Sequence, residues 1–283
     1  MYKIKNLKLK NRFLLAPMLE PNDIAFRLLC KKAGCALTYT GMTSPLSKQK
    51  LILKDKPAIQ IFGNSDRGVA DFIKKYDSKV SLWDFNLGCP SKLSKRLSHG
   101  AFMHKDLKMI EKILSTMRAA TKKPITIKLR KSPNALKIAK IAEKYVDAIG
   151  IHPRTDKQGY SGDPDYKFAL KLRKAVKVPV IYSGNVSEKN VDKILKNFDF
   201  VFIGRAAIGD PSIFSRLTGR KKTFSFKNYL KLAMKYKLFF RNVKYQAMNF
   251  SKGLVGAKKL RERLVGAKSV GEVGRVLKQQ SAK

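Results

Sequence analysis

A cysteine stands just past the end of an apolar run. Ser81-Leu82-Trp83-Asp84-Phe85 leads directly into Asn86-Leu87-Gly88-Cys89-Pro90. The neighbouring Gly and Pro force a turn, so the Cys89 thiol belongs at a rim rather than in a core. A free cysteine titrates near pH ~8.5, so at neutral pH it is mostly protonated and able to donate. A nucleophilic cysteine needs a depressed pKa, and no histidine stands in this loop before His99. The chemistry that fits Cys89 is therefore that of a general acid; the structural alternative is a small residue packed after a strand. Cys30 and Cys35 flank a helix end at Gly34 and read as core.

A second set of residues is built for anions. Lys128, projecting inward from a strand, needs an anionic or carbonyl partner, because a buried unpaired ammonium is costly. The electron-rich edge of a reduced flavin would supply one, and Gln60 and His152 could hydrogen-bond the same ring system. The alternatives are a salt bridge from Lys128 to a barrel acid and a core role for His152. Gly184-Asn185 and Gly204-Arg205 are turns whose glycines let backbone amides approach an anion, with Arg205 adding charge.

These residues need a scaffold, and the hydrophobic pattern provides one. Strand-like runs occur at Arg12–Ala16, Ala36–Tyr39, Ala58–Phe62, Leu82–Asn86, Ile125–Leu129, Ala148–His152, Pro179–Ser183 and Phe200–Ile203. Between them, helical spacing appears at Ile24–Ala33, Val69–Tyr76, Met109–Ala119, Ala135–Tyr145, Phe168–Ala175 and Val191–Leu195. Continuous apolar strands suit a parallel sheet covered on both faces, and eight strand–helix units predict an α/β fold, the (β/α)8 TIM barrel. The segment from Gly41 to Pro57 is long and basic and predicts a loop excursion. In a barrel the active site lies where the strands end, and phosphate commonly binds after strands seven and eight, where Gly184 and Gly204 fall.

The barrel is expected over residues 1–218. Gly219-Arg220-Lys221-Lys222 reads as a linker, and residues 219–283 as a small basic helical bundle with a break at Gly266. Over the 283 residues, 61 Lys and Arg face 20 Asp and Glu, a formal charge of +41. Lysine-rich surfaces alone could produce this, but residues 220–283 hold 18 basic residues against Glu262 and Glu272 only. That asymmetry predicts a module docking on a polyanion. No run approaches the roughly 18 apolar residues of a membrane span. Three cysteines are too few for a disulfide framework, no metal-ligand spacing occurs, and a cytoplasmic, monomeric protein is expected.

The motifs also carry a resemblance. Ala16-Pro17-Met18, Asp23–Arg27, Gln60-Ile61-Phe62-Gly63, Asn86–Pro90, Ile127–Arg130, His152–Thr155, Tyr160-Ser161-Gly162, Gly184-Asn185 and Ile203–Ala206 occur in the order found in tRNA-dihydrouridine synthases. The tail, from Gln246 to Gly253 and on to Leu260-Arg261, is similar to that family's helical domain. Ala-Pro-Met alone is shared with other flavin barrels.

The resemblance implies an FMN enzyme that reduces uridine in tRNA to dihydrouridine with NADPH. Hydride would pass from flavin N5 to uracil C6, and Cys89 would protonate C5 from the opposite face. Ala16, Pro17 and Met18 would lie against the flavin ring, with Gln60, Asn86, Lys128 and His152 at its polar edge. Gly184, Asn185, Gly204 and Arg205 would bind the FMN phosphate. Lys92, Lys95, Arg96, Arg130 and Arg154, with Arg241, Lys244, Arg261 and Arg263 in the tail, would meet the RNA. Tyr236, Phe239, Phe240 and Tyr245, interleaved with the tail cations, read mostly as bundle core. No Gly-x-Gly-x-x-Gly fingerprint occurs, so NADPH rests on the resemblance alone.

The chain departs from the family pattern at Glu20-Pro21-Asn22, at Gly41, at Leu93 where a basic residue is usual, and at Ser98-His99. His99 reads as a loop residue, with an extra proton donor or a phosphate contact as alternatives. The competing readings are a small-molecule flavin oxidoreductase of the dihydroorotate-dehydrogenase-like barrel type and a flavin-free RNA-binding barrel.

Overall fold

The computed structural model describes residues 1–278. It opens with a hairpin, β1 (Tyr2–Ile4) and β2 (Leu7–Leu9), paired antiparallel. Eight parallel strands follow: β3 (Phe13–Leu15), β4 (Tyr39–Thr43), β5 (Ala58–Ile61), β6 (Leu82–Leu87), β7 (Ile125–Arg130), β8 (Ala148–His152), β9 (Val180–Ser183) and β10 (Phe200–Ile203). Each pairs with its sequence neighbour from β4 round to β10, and β10 returns to β3.

The seam closes through residues ahead of β4. Leu15 N donates to Leu37 O at 3.0 Å, and Ala36 N to Phe13 O at 2.9 Å. The expected second strand is thus split. Ala36 and Leu37 meet β3, whereas Tyr39–Thr43 pairs with β5 across a register shift between Tyr39 and Met42. Between the two stands Thr38, whose hydroxyl turns to Asp55 at 2.7 Å.

Helices cover the outside: α1 (Ile24–Ala33), α2 (Val69–Tyr76), α3 (Lys92–Arg96), α4 (Leu107–Ala120), α5 (Ala135–Ala142), α6 (Tyr166–Ala175), α7 (Val191–Leu195) and α8 (Ile213–Leu217). The expected helices recur, with α5 ending earlier than predicted. The hairpin and α3 were not visible as periodicity, because three to five residues are too few to show one.

Two apolar cores result. One lies between sheet and helices. The other fills the barrel with Leu14, Tyr39, Leu82, Ile181 and Phe202, and the hairpin plugs its base through Ile4 and Leu9. A plugged base leaves the opposite end, where the strands terminate, as the open one.

After α8 come α9 (Phe226–Lys235), α10 (Phe240–Phe250), α11 (Ala257–Gly266) and α12 (Val270–Lys278). α9 packs on α1 of the barrel, and α10 contacts α9, α11 and α12. The aromatic centre is Phe226, Tyr229 and Phe250. The aromatics singled out in the sequence behave differently. Phe239 and Tyr245 are exposed and Tyr236 is partly buried, Tyr236 and Phe239 standing in the turn between α9 and α10, whereas Phe240, partly buried, packs against the core.

Candidate active site

The strand ends surround a cavity of about 960 Å³. All eleven residues assigned by sequence to cofactor binding line it, from Ala16 to Arg205, together with Cys89 and Arg130. Sheet register explains the convergence. Gln60, Asp84 and Thr126 are neighbours in one row, Asn86, Lys128 and Gly150 in the next, and Arg130 and His152 in a third. Alternate residues on one strand face the same way, so Asp84 and Asn86 point inward with Thr126, Lys128 and Arg130.

A polar row runs through the first two levels. Thr126 Oγ1 donates to Asp84 Oδ1 at 2.5 Å and Gln60 Nε2 to Asp84 Oδ2 at 2.6 Å. Asn86 Nδ2 then donates to Gln60 Oε1 at 2.7 Å. Asn86 Oδ1 accepts the backbone N–H of Gly88 at 3.1 Å and of Cys89 at 3.0 Å. Burial pushes the Asp84 carboxyl up to about 7, against the pull of its hydrogen bonds and of Lys128.

Four further contacts fix the Cys89 loop. Arg130 Nε donates to Gly88 O at 2.9 Å, and Ala101 N to Cys89 O at 3.1 Å. His104 is clamped between Leu87 O and Ser132 Oγ, each at 2.6 Å. Gly100 takes φ +63°, and a Cβ there would stand 2.8 Å from Cys89 O, so only glycine admits this approach. Ser91 caps α3 through Ser94 N at 3.0 Å, which ends the loop two residues after the cysteine. Cys89 is partly exposed at the cavity wall, whereas Cys30 and Cys35 are buried and burial pushes both thiols up.

The wall that continues from this loop through β7 and β8 is cationic. Burial lowers Lys128 to about 8, with Arg130 adding to the effect and Asp84 opposing it, and no carboxylate ion-pairs with it among the described residues. Burial, then Lys128, Arg130, Arg154 and Arg205, hold His152 down at about 2, so its ring is neutral. Arg154 Nη1 lies 3.0 Å from His152 Nε2. A guanidinium only donates, so Nε2 accepts and the ring proton resides on Nδ1. Gly184 at φ +130° and Asn185 at φ +51° form a left-handed turn, and Arg205 Nη2 donates to Asn185 Oδ1 at 2.6 Å. Tyr160, exposed at the mouth, lies between Arg130 at 5.7 Å and Arg205 at 5.5 Å.

The cations assigned to RNA divide into two groups. Lys92, Lys95, Arg96 and Arg263 are exposed, Arg261 is partly so, and Arg241 is exposed beside Glu20 at 3.4 Å. Arg130 and Arg154 are each 1% exposed and brace backbone carbonyls, Thr155 and Gly159 for one, Ser161 and Gly162 for the other. Lys244 Nζ donates to Val265 O and Ala267 O at the end of α11. His99 is buried against Phe62 at 4.6 Å with neither ring nitrogen partnered, and burial lowers its pKa.

Sequence reasoning missed Asp84, Thr126 and His104. A signal existed for the first: Asp84 is a lone acid two residues before Asn86 in a strand otherwise apolar. His104 carried none, because its partners lie far away in the chain.

Comparison with known proteins adds to this geometry. The family model described as "Dihydrouridine synthase (Dus)" matches residues 14–282. A probable tRNA-dihydrouridine synthase of Rickettsia bellii is 32% identical over 79% of this chain and 75% of its own. tRNA-dihydrouridine synthase B of Vibrio vulnificus is 30% identical over 76% and 73%. Among solved structures, the old yellow enzyme homologue of Zymomonas mobilis superposes with TM-score 0.54 at 11% identity, covering 80% of this chain and 94% of that one. A mandelate oxidase superposes with TM-score 0.53 at 16% identity over 77% and 72%. The last two likenesses bear on the barrel alone.

Proposed function

The chain belongs to the dihydrouridine synthase family of oxidoreductases, and on that premise we propose that it reduces a uridine of tRNA to 5,6-dihydrouridine. The coenzyme is FMN and the reductant NADPH. The observation that carries the reading is the placement of Cys89 on the same cavity as Lys128, His152 and the Gly184–Arg205 turns.

The cavity fits FMN. Lys128, lowered by burial and without a carboxylate partner, faces a wall that also carries Arg130 and Arg205, a setting that favours an electron-rich ring edge and a phosphate. Ala16 to Met18 and Phe202 supply apolar surface. The left-handed turn at Gly184-Asn185, with Arg205 tied to Asn185, leaves backbone amides for the phosphate. FMN, when bound, would deliver the hydride to uracil C6.

This chain's residues do the rest. Lys128 and the neutral Nδ1–H of His152 donate to the coenzyme, with Gln60 and Asn86 beside them. Cys89 delivers its proton to C5, from a loop held on both sides so that the thiol stays at the rim. Lys92, Lys95, Arg96 and Arg241 contact the RNA backbone, together with Arg261 and Arg263. Arg130 and Arg154 shape the mouth from behind, and Lys244 supports the end of α11. Residues 1–218 form the catalytic unit and 219–283 the RNA-docking unit, and the chain works as a cytoplasmic monomer. The described residues include no helix long and apolar enough to cross a membrane.

The test is incubation with an unmodified tRNA transcript, FMN and NADPH, followed by mapping of dihydrouridine. Product at one or a few uridines supports the reading. Turnover of a free pyrimidine with no product in tRNA would replace it with a small-molecule oxidoreductase.

A further inference from the structure

Two of the inward residues have no place in the reaction just described, although they sit directly behind residues that do. Asp84 is 0% exposed and Thr126 likewise, and the Tyr39 hydroxyl is buried beside them. The row they begin has a definite polarity. Backbone amides only donate, so Gly88 N and Cys89 N require the Oδ1 end of Asn86. Asn86 must then present Nδ2 to Gln60, and Gln60 must present Nε2 to whatever lies behind it. The row needs an acceptor at that far end, and Asp84 Oδ2 is the one at hand, 2.6 Å away. Gln60 is 2% exposed and Asn86 7%, so bulk water does not stand in for it. A buried amide donor left without a partner is costly enough to turn a side-chain amide into another rotamer.

We propose that Asp84 is a positioning residue: its carboxyl is the terminal acceptor that locks Gln60 and Asn86 in one amide orientation, and through them the backbone of the Cys89 loop. The inference rests on the reading of Cys89 and Gln60 given above. What Asp84 supplies is an acceptor rather than a charge. A protonated Asp84 still offers one acceptor oxygen, and the Thr126 hydroxyl can turn to accept from the other. The same holds for an amide. In Asp84→Asn, Oδ1 serves Gln60 Nε2 and Nδ2 serves Thr126 Oγ1. In Asp84→Val the strand gains a β-branched residue that strands favour, but Gln60 Nε2 and Thr126 Oγ1 both lose their partner.

The test reads the loop and the coenzyme site separately. Cys30 and Cys35 are buried, so iodoacetamide reports on Cys89 in the coenzyme-free chain. FMN affinity is read by flavin fluorescence. Asp84→Asn should match the parent within about twofold in both readouts. Asp84→Val should shift the Cys89 alkylation rate at least about fivefold and weaken FMN binding at least about tenfold, with native circular dichroism retained. A folded Asp84→Val chain that alkylates and binds FMN like the parent overturns the proposal. So does an Asp84→Asn chain as impaired as the valine variant, since charge would then be what matters. Should Asp84→Val fail to fold, Gln60→Leu cuts the row one link later and is read by alkylation alone: a shift like that expected for valine supports the proposal, and a parental rate overturns it. Neither readout uses tRNA. A parent chain that makes no dihydrouridine would sink the proposed reaction and leave this inference standing on its own measurements.

Discussion

Asp23 Oδ2, at the start of α1, accepts a hydrogen bond from Gln246 Nε2 on α10 at 3.2 Å. Tyr229 Oη on α9 donates to the same oxygen at 3.2 Å, while Asp23 Oδ1 caps α1 through Phe26 N at 2.9 Å. Together with the Arg241–Glu20 pair, the tail helices therefore hold both ends of residues 20–23, next to the Met18–Glu20 segment of the cavity wall. The helices that dock RNA in our reading also brace a wall of the barrel's cavity.

Asp23→Ala should accordingly do more than remove a cap. Loss of an N-cap costs about 1 kcal/mol, and a buried donor left unpartnered about 1–3 kcal/mol more. A fall in unfolding free energy of roughly 2–4 kcal/mol is expected in urea titration, with weaker FMN binding. Parental stability would mean that the junction carries none of it.

Lys128 makes the stability of the coenzyme-free chain depend on alkaline pH. Its folded value, about 8, lies below the ordinary 10.5. Between those values the unfolded chain holds more protons, so this residue's contribution is present above pH ~10.5 and is lost as pH falls toward ~8. Lys128→Met removes that loss. At pH 7 the coenzyme-free variant should be more stable than the parent in urea titration, by roughly 3 kcal/mol, and the gap should close near pH 10.5. A variant less stable than the parent at pH 7 would contradict the desolvated, unpaired state of this ammonium.

The exposed cations of α3 should act through the salt dependence of binding. Replacing Lys92, Lys95 and Arg96 with Gln should weaken tRNA binding. It should also lower the slope of log affinity against log salt by about 0.7–0.9 for each phosphate contact removed. An unchanged slope would place the RNA elsewhere. Folding should be little affected, since all three side chains are exposed.

Much of this architecture was legible beforehand. Eight apolar runs placed the barrel and its open end, because continuous apolar runs and period-three-to-four patterns report burial directly, and the eleven residues singled out by strand-end chemistry, glycine turns and family resemblance all line the cavity there. What escaped was set by distant partners. The strand at Ala36–Tyr39 changes partner at Thr38, whose hydroxyl donates to Asp55 17 residues further on. Arg130 and Arg154 read as RNA contacts at strand ends, yet carbonyls of the loop at residues 155–162 enclose them. His104 meets Leu87 and Ser132 from positions that no local pattern connects. The same limit hid Asp84: its row exists only after three strands are laid in register.

Cys89→Ala, followed through both half-reactions, tests the central claim most directly. NADPH should still bleach the flavin at close to the parental rate, because the thiol lies on the substrate side. Dihydrouridine in the tRNA transcript should fall by about 10²–10⁴-fold, the range that one positioned proton donor contributes. A Cys89→Ala chain that forms dihydrouridine at the parental rate would show that the proton reaches C5 by another route.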